Sequence, residues 1–152
     1  MNPDSSVRAQ ELFTQKCNCA QSVFAACAAG SNLTEAQRLA LAANFGGGLA
    51  GQGEVCGALT GALLALGEAA EAQIAADPVA GRSAVNAQAG RLIHQFRTAH
   101  GSVRCSELTG HSLTTEDGRA VFHASGLREN LCTKLVAFCA GKVDEALTPA
   151  AL

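Results

Sequence analysis

Seven cysteines stand at positions 17, 19, 27, 56, 105, 132 and 139 of a 152-residue chain that has one methionine, no tryptophan and no tyrosine. The thiolate is both a nucleophile and a soft metal ligand, so this composition points first to redox or metal chemistry. An odd count argues against a framework of structural disulfides. A chain of this length also buries roughly 70% of its unfolded surface without cross-links.

Spacing separates the seven. Asn18 followed by Gln21 reads as a capping box, which puts Cys19 in the first turn of a helix. A helix starting at Glu54 carries Cys56 two residues in, and Ser102 caps a short turn that carries Cys105. Free amides and the positive end of the helix dipole favour a thiolate at such positions, and the same amides can hydrogen-bond a metal-bound sulfur. Cys132 opens the run Cys132, Leu135, Val136, Cys139 and Val143, one inward stripe of the last helix. Cys27 and Cys139 read as small buried hydrophobes. For Cys17 two readings stand: a redox pair with Cys19, or a neighbour pointing elsewhere.

The elements that must hold these thiols are helices. Ala, Leu, Gln and Glu dominate, and Val and Ile never alternate as in a strand. Helices are expected over about 6–16, 19–29, 35–44, 54–66, 78–100, 115–124 and 127–147, with a short turn at Cys105 and a polar segment reaching Ala76. The run Phe45-Gly46-Gly47-Gly48-Leu49-Ala50-Gly51-Gln52-Gly53 cannot be helical and is expected to let backbone pass close to another helix or to the sulfur site. The expected architecture is all-α: one domain over residues 1–152, a bundle of about six to eight helices with a glycine-rich loop.

Other chemistries find no footing. Gly46, Gly48 and Gly51 match a dinucleotide fingerprint, but a helix rather than a strand precedes them and no lysine follows, so no nucleotide is expected. His94, His100, His111 and His123 form no i, i+4 pair and have no close cysteine, which leaves a zinc finger unsupported. Glu116-Asp117 and Asp144-Glu145 read as solvated charge. Charged residues make up 16% of the chain and the net charge is −2, which offers no basic stripe for nucleic acid or a membrane surface. The first thirty residues lack a basic start and an unbroken apolar stretch, and no run of eighteen apolar residues follows. The expected location is cytoplasmic, without membrane insertion. No heptad seam argues for a coiled-coil dimer, and the oligomeric state is left open.

Four segments together resemble a known family: Asn18-Cys19-Ala20-Gln21; Gly46-Gly47-Gly48 leading to Val55-Cys56-Gly57-Ala58-Leu59-Thr60-Gly61; Phe96 through Gly101-Ser102-Val103-Arg104-Cys105; and Cys132. It is the family named for its C_GCAxxG_C_C cysteine signature, whose members are held to be redox-active. The resemblance implies four characteristic cysteines, which fall on Cys19, Cys56, Cys105 and Cys132, with Cys17, Cys27 and Cys139 outside the pattern. The family is also similar to the non-haem part of split-Soret cytochromes, where cysteines are thought to hold an iron–sulfur cluster. The chain has no Cys-x-x-Cys-His, so no covalent haem is expected.

The expected function is therefore electron transfer or redox sensing at an iron–sulfur site, a [2Fe–2S] cluster being the simplest, held by Cys19, Cys56, Cys105 and Cys132 and served by a redox partner protein. The alternative is a thiol–disulfide or peroxide-reducing enzyme with Cys56 or Cys19 as the low-pKa nucleophile. A third class is a structural helical module or metal store. The shared-site expectation is geometric: four sulfurs together, Cys27 apart from them, and the glycine loop alongside.

Overall fold

The computed structural model describes residues 4–149. These are helical almost throughout: α1 (Ser5–Thr14), α2 (Cys19–Cys27), α3 (Glu35–Leu41), α4 (Gly57–Ala69), α5 (Glu71–Ala76), α6 (Pro78–His100), α7 (Cys105–Thr109), α8 (Glu116–Ala124) and α9 (Thr133–Leu147), with a 3₁₀ turn at Ala43–Phe45 and a π-turn at Arg128–Cys132. Among the described residues the only pairing of extended chain is an isolated antiparallel bridge between Val55 and Arg104.

Helix α2 is the centre, with α1, α4 and α9 packed around it. Its Ala20, Val23, Phe24 and Ala25 are all buried. Small residues let the axes approach closely. A Cβ on Gly61 of α4 would lie 2.6 Å from the Ala20 carbonyl oxygen, so only glycine admits α4 there. Helices α2 and α9 run side by side in one direction: Cys19 meets Cys132 at their starts, and the Cys27 thiol reaches the Ala140 carbonyl at 3.9 Å farther along. The stripe read from the last helix is the core face, with Leu135, Val136, Cys139 and Val143 buried.

Capping signals place the boundaries. The capping box of Asn18 with Gln21 forms as expected, and a second, Thr34 with Gln37, opens α3. Asp77 caps α6, Pro78 occupies its first turn, and Gly101 ends it in the left-handed region at φ 84°.

Several elements differ from expectation. The first helix stops at Thr14, because Lys16 turns to φ 76° and directs the chain into α2. Glu54 does not open α4: the pairing of Val55 with Arg104 keeps that stretch extended, and Cys56 becomes the helix cap. Gly67 does not stop α4, which continues to Ala69. The supposed polar segment forms α5, docked on α6 where Gly81 lies against the Ile74 backbone. Arg104 rather than Ser102 is the cap of α7, with the Ser102 hydroxyl accepting from the Arg104 amide. Thr115 does not open α8 as a helical residue but caps it, accepting from the Gly118 amide. Among the described residues no helix is long and apolar enough to cross a membrane.

Candidate functional site

All four signature cysteines begin helices. Cys19 is the first residue of α2 and Cys105 the first of α7, Cys56 caps α4, and Cys132 closes the π-turn that runs into α9. Two local devices bring them together. The first joins Cys56 to Cys105: the Cys56 amide donates to the Val103 carbonyl at 2.8 Å, and the Cys105 amide donates to the Glu54 carbonyl at 2.7 Å. An Arg104–Glu54 ion pair at 3.1 Å flanks this bridge. Both partners are half exposed, so the pair adds at most about 1 kcal/mol, and the backbone bonds do the holding.

The second device joins Cys19 to Cys132. Arg128 opens the π-turn, sends Nη2 to the carbonyls of Phe13 at 2.9 Å and Cys17 at 3.2 Å, and lies over the Phe13 ring at 3.8 Å. The end of α1 is thereby tied to the segment that carries Cys132. The π-turn ends at Cys132, and from there Cys132 and Leu135 share the inward face at the ordinary i, i+3 spacing of α9.

The glycine loop joins the two devices. The Asn18 side chain caps α2 and also donates to the Ala43 carbonyl at 2.9 Å, beside the loop. A Cβ on Gly46 would come within 2.6 Å of Asn18 Cγ, and one on Gly57 within 3.2 Å of Cys19 Cβ. These absent side chains are what let the start of α4 reach the start of α2.

The result is a half-open pocket of about 240 Å³ lined by Cys19, Cys56, Cys105 and Cys132 together, with Gly47 of the loop in its wall. The four thiols are thus brought to one place. Cys27 is not among them, and lines a separate hollow beside Ser5 and Asp144. Cys139 is buried in the core. Cys17, which the signature leaves out, lines the same pocket as the four. Its signal in the sequence was the Cys17-Asn18-Cys19 spacing, which does not by itself say which way the first cysteine points.

The electrostatics reverse the expected order of the thiols. Burial pushes Cys56 up to about 11 although the amides of Ala58 and Leu59 pull the other way. Burial pushes Cys105 up to about 12. Cys19 is raised well above the ordinary thiol range, first because it donates a hydrogen bond to Cys132 and then by burial. Cys132 alone of the four is lowered, by that hydrogen bond from Cys19 and then by the Arg128 charge. Neither Cys56 nor Cys19 is therefore the low-pKa thiol: burial outweighs the helix start at Cys56, and at Cys19 the hydrogen bond given to Cys132 acts first and burial second.

All seven cysteines are free thiols. Among the described residues no three His, Cys, Asp or Glu side chains close in on one point as a single metal ion requires. No curated protein and no solved structure matches the chain. The family model described as "Putative redox-active protein (C_GCAxxG_C_C)" matches residues 17–146, a span that contains the four pocket cysteines and the loop between them. By that match the chain belongs to the C_GCAxxG_C_C family of redox-active proteins.

Proposed function

We propose that this is an electron-transfer or redox-sensing protein in which Cys19, Cys56, Cys105 and Cys132 hold an iron–sulfur cluster, [2Fe–2S] being the simplest that four thiolates satisfy. The observation that carries the reading is the convergence of four thiols from four separate segments on one pocket. A dithiol enzyme needs only two. A single zinc ion would draw its sulfurs to about 2.3 Å from one point. A cluster brings its own inorganic core, which suits four thiols that line about 240 Å³ of pocket.

When bound, such a group supplies a one-electron couple. The chain supplies everything else. Amides of Ala58 and Leu59 hydrogen-bond the Cys56 sulfur. Phe13, Leu135 and Phe122 keep water from the floor of the pocket, and Arg128 sets a positive charge beside Cys132. Three thiols held above their ordinary range resist deprotonation, so loading is expected to release protons and to be favoured at higher pH. Free thiols suit a reducing compartment, and the reading takes the protein to be cytoplasmic, with a redox partner protein.

Anaerobic purification tests it. A brown protein with iron and acid-labile sulfide near two per chain is the expected result. Colourless, iron-free protein after anaerobic reconstitution would overturn the reading.

One observation favours a second reading. Cys132 is lowered and has Cys19 as its hydrogen-bond donor, the arrangement of a nucleophile and a resolving thiol. The Cys132 thiolate would attack a disulfide RS–SR, forming Cys132–S–S–R and releasing RS⁻. Cys19 would then attack that mixed disulfide, its proton passing to the departing second thiolate. The substrate is reduced by two electrons, and the Cys19–Cys132 pair is oxidised to a disulfide. Metal-free protein that reduces disulfides, and loses this on Cys132→Ser, would establish it in place of the first.

A further inference from the structure

The outer part of the thiol pocket has a character that neither thiol nor cluster chemistry requires. Its floor is buried: Cys56, Cys132, Phe13 and Leu135 are each less than a tenth exposed. Above the floor the wall is apolar, made by Leu108, Leu113 and Phe122. At the rim stand the exposed side chains of Lys16 and His123. Among the described residues lining the pocket there is no Asp and no Glu, although the whole chain has a net charge of −2. The carboxylate that acts on Cys132, Glu129, lies outside that lining.

Arg128 adds to this. Its Nη2 is committed to two backbone carbonyls and its plane to the Phe13 ring, but Nε and Nη1 have no hydrogen-bond partner among the described residues. A guanidinium fixed through Nη2 keeps its positive charge and the donors on Nε and Nη1 in place at the pocket, with little entropy left to lose. The Lys16 backbone is held at φ 76°, which pins the root of its side chain at the pocket mouth.

We propose that the mouth of the thiol pocket binds a small organic acid with an apolar body, which lies between Leu108, Leu113 and Phe122 with its anionic group toward Arg128 and Lys16. Such a molecule would be the substrate or small electron carrier of the centre. The apolar wall supplies affinity, and the one-signed charge supplies orientation and selects against cations. The inference rests on the pocket being the redox centre, and it names the chemical class that reaches that centre.

The full-length chain, fully reduced, is titrated calorimetrically with 2-naphthoate, with its neutral amide 2-naphthamide, and with inorganic phosphate. Naphthoate is expected to bind about tenfold tighter than the amide, a difference of the size one charge-assisted contact gives. Saturating naphthoate is expected to slow alkylation of Cys132. In Lys16→Gln combined with His123→Gln the preference over the amide should fall to about threefold or less while amide binding stays unchanged. Both residues are exposed, so this variant is expected to fold like the parent.

Equal binding of naphthoate and the amide, absence of naphthoate binding at millimolar concentration, or no protection of Cys132 would each overturn the proposal. Phosphate binding as tightly as naphthoate would also overturn it, in favour of a plain inorganic-anion site. None of these measurements involves electron transfer, so failure here leaves the redox reading standing. Failure of the redox reading would appear instead in the iron, sulfide and disulfide-reduction assays.

Discussion

Each of the four signature thiols sits where a helix begins, yet only Cys132 is lowered: burial raises Cys56 and Cys105, and the hydrogen bond between Cys19 and Cys132 raises the donor and lowers the acceptor. Cys56 receives two amide hydrogen bonds and is still held near 11, whereas Cys132 has both a thiol donor and a guanidinium beside it. In the reduced, metal-free chain, alkylation is therefore expected to show the lowest midpoint of the four at Cys132. Arg128→Gln should move that midpoint upward. A profile in which Cys132 is not the lowest of the four would contradict this account of the site. The positions of Cys19 and Cys105 were legible in the sequence because Asn18 with Gln21, and the turn after Gly101, are local signals. The order of their acidities was not, since burial depends on what α8 and the π-turn bring over the pocket. Loss of the Asn18 cap is a related test: Asn18→Ala should cost about 1 kcal/mol in chemical denaturation, and more if the bond to the Ala43 carbonyl also counts.

Among the elements, the loop and the π-turn are the pieces that make four separated cysteines neighbours. The glycine run announced a loop that lets backbone pass close to another helix or to the sulfur site, and it does lie in the pocket wall at Gly47. Its path was not legible. Gly48 has φ 69°, and a Cβ there would meet the Glu54 amide at 2.5 Å. Gly48→Ala is accordingly expected to cost roughly 1–3 kcal/mol and to loosen the bridge between Val55 and Arg104. Gly30→Ala, in open space, should stay within about 0.5 kcal/mol. Comparable losses for the two would remove the strained loop from the explanation. The bridge itself and the π-turn left no mark in the sequence, because each depends on a partner far along the chain. For the same reason Cys56 was read as lying inside a helix that it in fact caps.

For the whole molecule, several buried thiols held above their ordinary range couple stability to pH. Cys27 and Cys105 stand near 12 and Cys56 near 11, whereas in the unfolded chain each ionises at about 8.5. Between those values the native state binds more protons than the unfolded one, so the stability these thiols contribute is complete below about pH 8.5 and is lost as pH rises toward 11. Melting temperature of the reduced protein should fall over that interval, and the seven-serine variant, where it folds, should show a flatter profile. A flat profile in the parent would argue that the thiols are solvated. The all-α bundle was the most legible feature, since periodicity and caps are written locally. Its division of labour was not. Cys19 and Cys56 precede the α5–α6 hairpin, and Cys105 and Cys132 follow α6. The exposed junction at Ala76 and Asp77 therefore separates the chain into two portions with two of the four signature thiols apiece. Neither portion owns the chemistry. If the two were expressed as separate polypeptides, the redox signal would return only on their reassociation, which makes the pocket a built-in reporter of its own complementation.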